Sequence, residues 1–338
     1  MRWVFHIGFP KTATTSIQAV LPKLSGVFFA GKEQGFVHGK QGELILRRWL
    51  PNLTRWNTPV HLIAEWRREI EDMAAVAGAA TVAVSEEDLT NFPAAMPPLE
   101  ICHNIANLFG PNVSFVFVVR NHWDLLRSTY KERVKNGMPY DFRHFCVDLI
   151  STRHYGLLHK WNYANLFSTL AGSGVDMNVF LFERFISERS YQDQFFSLMG
   201  AHAPPQAIPH ENPTPDDQEL EWLRTQNLAM FGGTFALAPV PSEFLKTHER
   251  DRRQLEWLAS YLGVSDGTFP AWSVEMHEKI KLHWVLNQHP ESAATGIDWS
   301  LPQKLAEELT QIFAAACFGL DAFVGEPSAP YGYAEPHA

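Results

Sequence analysis

A strand, a hydroxyl-rich turn and a helix follow one another at the start of this chain, and that order constrains its fold more than any other feature. Trp3-Val4-Phe5 is an apolar run. His6 to Ser16 reads His-Ile-Gly-Phe-Pro-Lys-Thr-Ala-Thr-Thr-Ser, and Ile17, Val20, Leu21 and Leu24 then recur at helical spacing. Such a turn aims backbone N–H groups and the positive end of a helix dipole at one point, an anion site that suits a phosphate. The nucleoside-triphosphate loop reads G-x-x-x-x-G-K-[ST]. On that template Gly8 is the first glycine, Ala13 replaces the second, Thr14 replaces the lysine and Thr15 keeps the hydroxyl. The cation has moved to Lys11, inside the loop, which suits a grip on a phosphate and a neighbouring transferred group better than metal-assisted triphosphate hydrolysis. The competing reading is a capped turn with a surface lysine.

A second segment has the same logic. Val113-Ser-Phe-Val-Phe-Val-Val119 is a β-branched and aromatic run, the mark of a buried parallel strand. Arg120 stands at its carboxyl end, followed by Asn121-His122-Trp123-Asp124-Leu125-Leu126-Arg127-Ser128-Thr129-Tyr130. A guanidinium at a strand end and a hydroxyl two turns into the next helix can converge on one phosphate. The alternative is a structural pair between Arg120 and Asp124, with Ser128 facing solvent.

Together the two segments resemble the sulfotransferases that use 3′-phosphoadenosine 5′-phosphosulfate (PAPS), in particular soluble bacterial members akin to carbohydrate sulfotransferases. That family's loop, P-K-[ST]-G-T-T, stands here as Pro10-Lys11-Thr12-Ala13-Thr14-Thr15. Its second motif, R-[DN]-P-x-[DE]-x-x-x-S-x-Y, is matched by Arg120, Asn121, Asp124, Ser128 and Tyr130. The resemblance implies that Lys11, Thr12, Ala13, Thr14 and Thr15 hold the 5′-phosphosulfate and that Arg120 and Ser128 hold the 3′-phosphate. It also implies PAPS as co-substrate, adenosine 3′,5′-bisphosphate (PAP) as product, and no metal. Two positions depart from the pattern. Ala13 replaces a glycine, which is harmless if its φ is negative and strained if φ must be positive. His122 replaces a proline, which leaves the entry to the following helix less rigid.

Transfer to an alcohol calls for a base to take the acceptor's proton. Ser85-Glu86-Glu87-Asp88-Leu89 follows the Val82-Ala83-Val84 run and resembles the S-S-E-x-[FL] element of the family. That register makes Glu87 the expected base, with Glu86 in reserve; crowded carboxylates raise at least one pKa. The other reading is that these acids cap a short helix. Aryl-alcohol members of the family use a histidine as base and none stands at this strand end, so the resemblance implies a sugar, glycolipid or small-alcohol hydroxyl over a phenol. Lys11 gains a second role, stabilising charge on the bridging oxygen of the leaving phosphate. The rival functions are a phosphotransferase or NTPase on the same loop, and a non-catalytic nucleotide-binding protein.

Composition sets the outer limits. The 338 residues are 46% hydrophobic and 19% charged with formal net charge −9, which describes a globular chain without a basic nucleic-acid surface. Cys102, Cys146 and Cys317 imply no disulfide framework or zinc site. The fifteen histidines show no ligand spacing. The first strand begins almost at Met1, so no leader is expected, and the apolar run Ala74–Val84 is too short to span a bilayer. The resemblance to soluble bacterial members then implies a cytoplasmic protein that acts on a small-molecule or glycan acceptor; no nucleic-acid partner and no membrane insertion are expected.

The expected fold class is α/β: a P-loop-like parallel sheet flanked by helices, with a mainly helical C-terminal half. Strands are expected at 3–7, 81–85, 113–119 and 177–182. Helices are expected at 17–24, 65–77, 153–170, 215–231, 243–262, 274–287 and 302–318. A single domain over 1–325, with a sheet-bearing core to 183 and a helical part beyond, precedes a Pro/Gly/Ala-rich loose tail, 326–338. Two features stay open: Tyr155 either lines the pocket or packs in the core, and Lys131, Arg133 and Lys135 either attract an acidic acceptor or form a solvated face.

Overall fold

The computed structural model describes residues 1–9, 11–31, 60–86, 98–153, 156–203, 205, 208–209, 216–231 and 296–333. Its regular elements are β1 (Arg2–Gly8), α1 (Thr14–Val20), β2 (Val27–Phe29), α2 (Val60–Val76), β3 (Thr81–Ser85), α3 (Pro98–Phe109), β4 (Val113–Val119) and α4 (His122–Lys135). They continue with α5 (Phe142–Ser151), α6 (Leu157–Lys160), α7 (Tyr163–Gly172), β5 (Met177–Leu181), α8 (Phe182–Ser187), α9 (Arg189–Leu198), α10 (Asp217–Phe231), α11 (Gln303–Ala316) and α12 (Leu320–Val324). The helices expected at 243–262 and 274–287, and Tyr155, lie outside the described residues.

The fold is α/β. Five parallel strands run in the order β2-β3-β1-β4-β5, with β1 in the centre. A strand covered on both faces favours apolar side chains on both, which is why β3 and β4 read as near-continuous apolar runs, interrupted only by Thr81, Ser85 and Ser114. On one face Trp3, Phe5 and Ile7 of β1 join Ile63, Ile70 and Ala74 of α2, Ile101, Ile105 and Phe109 of α3, and Tyr163, Phe167 and Leu170 of α7. On the other face Val4 joins Ile17 and Val20 of α1, Phe185 of α8, and Tyr191, Phe195 and Phe196 of α9. From β1 the chain first builds one side of the sheet (β2, β3) and then crosses to the other (β4, β5). The connections therefore diverge at the carboxyl end of β1, the crevice where ligands bind in open α/β sheets.

Several boundaries differ from expectation. The helix expected over 153–170 is broken. Trp161 ends α6, and Asn162 caps α7 by accepting the Asn165 amide at 3.0 Å, a cap of about 1 kcal/mol. Phe182 opens α8 instead of closing β5.

The chain divides into two compact units, and the division falls within α4. The first is Met1–Leu126, Leu149–Pro213 and Gln303–Ala338; the second is Arg127–Asp148 and Thr214–Pro302. In the second unit Tyr130 packs on Phe142 and Trp299 at centroid distances of 5.3 and 5.7 Å. Asn227 there donates to the carbonyls of Val134 and Met138 at 2.9 and 3.2 Å. Lys131 is committed in the same unit: it pairs with Asp217 at 2.7 Å and lies over the Trp299 ring. It therefore serves packing within that unit and does not form part of a solvated basic face.

The described part of the stretch expected as a loose tail is fixed in the first unit. Ser328 bonds Asp321 through its amide and its hydroxyl, at 2.8 and 2.5 Å. Arg184 pairs with Glu326, and Tyr333 is buried in the core. Proline and glycine there mark tight turns, not disorder.

Candidate functional site

The loop after β1 is held by its first residue and shaped by two others. Phe9 is buried, with its ring 5.0 Å from Tyr163, and its carbonyl accepts the Thr12 hydroxyl at 2.6 Å. Lys11 and Ala13 both adopt left-handed backbone, with φ 66° and 60°. Left-handed residues at alternate positions curl a chain into a concave nest of N–H groups that takes an anion. The α1 ladder begins with Ile17 N–H to the Ala13 carbonyl at 2.9 Å. Gly8 admits no side chain, because a Cβ would sit 2.3 Å from Thr14 Oγ1. That hydroxyl is buried with no hydrogen-bond partner. Thr12 spends its proton on Phe9, so its amide, not its hydroxyl, is left for a ligand. Thr15 is exposed.

Ala13 therefore realises the strained branch of the sequence expectation. A non-glycine residue in the left-handed region costs about 1–2 kcal/mol. Replacing Ala13 by glycine removes that cost against the extra chain entropy of glycine, and is expected to stabilise the protein by roughly 0.5–1 kcal/mol. Thermal unfolding checks the sign: a backbone with negative φ would make the same substitution destabilising.

Arg120 stands at the end of β4, beside β1, where Gly8 aligns with Val118. Its Nη1 donates to the Lys11 carbonyl at 3.1 Å, and its guanidinium carbon lies 4.7 Å from the Phe182 ring centroid. Its Nε is buried and makes no hydrogen bond. Burial lowers its pKa, against the fields of Asp124 and Glu183. Neither carboxylate takes the guanidinium as a partner. Asn121 donates Nδ2 to Asp124 at 2.7 Å and accepts the Asp124 amide at 2.9 Å, a reciprocal cap on α4. Asn121 also gives its amide and Nδ2 to Glu183 Oε1, at 3.0 and 2.9 Å. The structural pair between Arg120 and Asp124 is thus replaced by bonds to Asn121, and a cation is left facing two acids that other groups occupy.

His122 corrects the expectation of a looser helix entry. It is buried, with Nε2 donating to the Trp161 carbonyl at 2.8 Å. That assigns Nδ1 as the acceptor, 3.2 Å from Cys317 Sγ. Its ring stacks on Phe313 at 4.9 Å. Burial pushes its pKa down to about 4, so it stays neutral at pH 7. Packing supplies the rigidity that a proline ring would have supplied.

On the other side of β1, Glu86 follows β3 and is fully buried; its amide donates to the His6 carbonyl at 3.2 Å. Gln18 of α1 ties this strand end down through the Ser85 carbonyl at 2.8 Å. Ser85 Oγ lies 2.8 Å from His6 Nδ1, and burial drives the His6 pKa down to about 3. Lys11, Thr12, Ala13, Glu86 and Arg120 lie at the carboxyl ends of β1, β3 and β4 or in the loops that follow them, and Thr14 and Thr15 open α1 directly after the first loop. Glu87 lies outside the described residues. Ser128 falls in the second compact unit, half-buried on α4.

Three neighbours of Arg120 escaped sequence reasoning. Tyr163 OH donates to the Arg120 carbonyl at 3.2 Å. Glu183 follows β5, and its only sequence signal was the Phe-Glu pair at a strand end. Tyr333 OH lies 2.7 Å from the Val119 carbonyl and 2.8 Å from Glu183 Oε2, and no local pattern announces it.

No family model matches the chain, and no curated protein matches it. Among solved structures it is similar to a sulfotransferase from Alicyclobacillus acidocaldarius, at 17% identity and a TM-score of 0.41, over 67% of this chain and 92% of that one.

Proposed function

We propose that this chain is a sulfotransferase: it takes PAPS, passes the sulfuryl group to a hydroxyl acceptor such as a sugar, glycolipid or small alcohol, and releases PAP. One observation carries the reading. Two buried donors without partners among the described residues, Thr14 Oγ1 and Arg120 Nε, belong to two residues joined through one loop by the bond from Arg120 Nη1 to the Lys11 carbonyl. A buried donor left unmade costs about 1–3 kcal/mol, and a bound anion relieves that cost.

PAPS supplies the activated sulfuryl group and two separated phosphates. Thr14 and the Lys11–Ala13 nest suit the 5′-phosphosulfate, and Arg120 suits the 3′-phosphate. Lys11 holds positive charge where the leaving phosphate gains negative charge. Glu87, with Glu86 behind it, takes the acceptor's proton. Among the described residues no helix is long and apolar enough to cross a membrane.

Thermal unfolding with PAP, ADP and Mg²⁺-ATP tests the proposal. A ligand at a hundred times its Kd adds about 2.7 kcal/mol, a rise of several degrees for a chain of this size. A rise with PAP in the absence of Mg²⁺, and little with ADP, which lacks the 3′-phosphate, is the expected result. A rise with Mg²⁺-ATP alone would replace the sulfotransferase by a phosphotransferase.

A further inference from the structure

The protons around Tyr333 do not balance if Glu183 is ionised. Tyr333 is buried and its hydroxyl has two oxygen neighbours, Val119 O at 2.7 Å and Glu183 Oε2 at 2.8 Å. A phenol carries one proton, and a backbone carbonyl only accepts. If Tyr333 donated to an ionised Glu183, its contact with Val119 would press two acceptor oxygens together. Both contacts become hydrogen bonds when Tyr333 donates to Val119 and Glu183 donates to Tyr333. Glu183 Oε1 already accepts two N–H groups of Asn121, which leaves Oε2 as the oxygen that carries the proton.

We infer that Glu183 is a carboxylic acid that donates to Tyr333, and that this neutral acid leaves the charge of Arg120 undivided for an anion. The second half rests on the reading of Arg120 as an anion ligand; the first does not. Glu183 and Tyr333 are thus positioning residues behind Arg120. The groups that face Glu183 are Arg120 at the end of β4, Asn121 at the start of α4, Tyr163 of α7, Cys317 after α11, and Tyr333; Asp124 is bonded to Asn121 and acts on Arg120. Burial raises the Glu183 pKa and outweighs the groups that favour the anion: the Asn121 amide, the Tyr333 hydroxyl were it to donate, Glu183's own amide and the Arg120 charge. Tyr333 is delivered by the segment from Glu326, itself held by Ser328 on Asp321, Arg184 on Glu326, and Tyr331 on Glu188 at 3.3 Å.

Glu183→Gln copies the acid, since its carbonyl accepts from Asn121 and its amide donates to Tyr333. A carboxyl whose folded pKa is raised contributes stability that is full below the unfolded pKa and lost as pH rises through the folded one. The expected result is that the Tm of the wild type falls relative to Glu183→Gln as pH rises above the ordinary carboxylate range. Wild type gaining on Glu183→Gln over that range would overturn the inference. Carboxyl-¹³C NMR of the wild type gives an independent reading should the variant fold poorly. A glutamate resonance that titrates above the ordinary range, with its midpoint lowered in Tyr333→Phe, is expected; glutamates that all titrate in the ordinary range would overturn it. The PAP dissociation constant, measured by calorimetry in both proteins, should rise with pH in the wild type relative to the variant. If PAP binds neither protein, the sulfotransferase reading fails while the other two measurements still decide the acid.

Discussion

In Arg120→Ala the stabilisation by PAP disappears, while the unliganded protein melts within a few degrees of the wild type. The two halves of this expectation have different causes. A 3′-phosphate on a guanidinium gains two charge-assisted hydrogen bonds of about 1.5–3 kcal/mol each. Their loss weakens binding by roughly a hundredfold to ten-thousandfold. Alanine also leaves Asp124 facing the site without a cation, and a bare carboxylate repels phosphate. In the unliganded protein the losses are the bond to the Lys11 carbonyl and the contact with Phe182, the latter worth about 0.5–2 kcal/mol. Against them stands relief of the buried, unbonded Nε, which costs a similar amount. The terms nearly cancel, so thermal unfolding with and without PAP separates a damaged site from a damaged fold. Arg120→Lys should fall between, because a point charge survives without the planar fork. A full PAP shift in Arg120→Ala would remove this residue from the site.

The central sheet was legible because a parallel strand covered on both faces cannot hide. β3 and β4 appear as Thr-Val-Ala-Val-Ser and Val-Ser-Phe-Val-Phe-Val-Val, and the described bounds match the expected ones. β2 escaped because Val27-Phe28-Phe29 is too short to show a period. α3 escaped although Ile101, Ile105 and Phe109 recur at four-residue spacing, because Pro97-Pro98 before them reads as a loop. Pro98 in fact occupies the first turn of the helix, where its missing N–H costs nothing. Composition misjudged the C-terminal stretch for a related reason: it counted proline and glycine but not Tyr331 and Tyr333, which anchor it.

The site was legible where the ligand would meet backbone, and illegible where side chains meet across the sequence. Gly8, Lys11 and Thr14 fall in one loop, so spacing alone singles them out. The loop's dihedrals were only a condition in the sequence, and the positive φ of Ala13 settles it. Glu183 and Tyr333 are 150 residues apart and meet only because β5 lies next to β4 and the chain end returns to that edge. His122 is the reverse case. The motif marks it as a departure, and the structure shows a different route to the same rigidity, through Trp161, Phe313 and Cys317.

Lys11→Ala is expected to lose turnover and keep most of its affinity for PAP. Alanine retains the Cβ and with it the left-handed backbone cost at this position, so the substitution isolates the ammonium group. Glycine would relax the loop at the same time and confuse the two effects. PAP lacks the sulfuryl group, and on the proposed reading its 3′-phosphate and 5′-phosphate would still meet Arg120 and the nest. The ammonium matters most when the bond from sulfur to the bridging oxygen breaks and charge collects there; an interaction stronger in the transition state than in the ground state raises kcat. Removing one such preorganised group typically costs a hundredfold to a thousandfold in kcat. The slow release of PAP from PAPS with water as acceptor is the readout, set beside PAP binding by calorimetry. A collapse of PAP affinity with unchanged turnover would make Lys11 a binding residue. It would leave charge stabilisation on the leaving phosphate to the amides of the nest, which its own carbonyl, fixed by Arg120, helps to hold in shape.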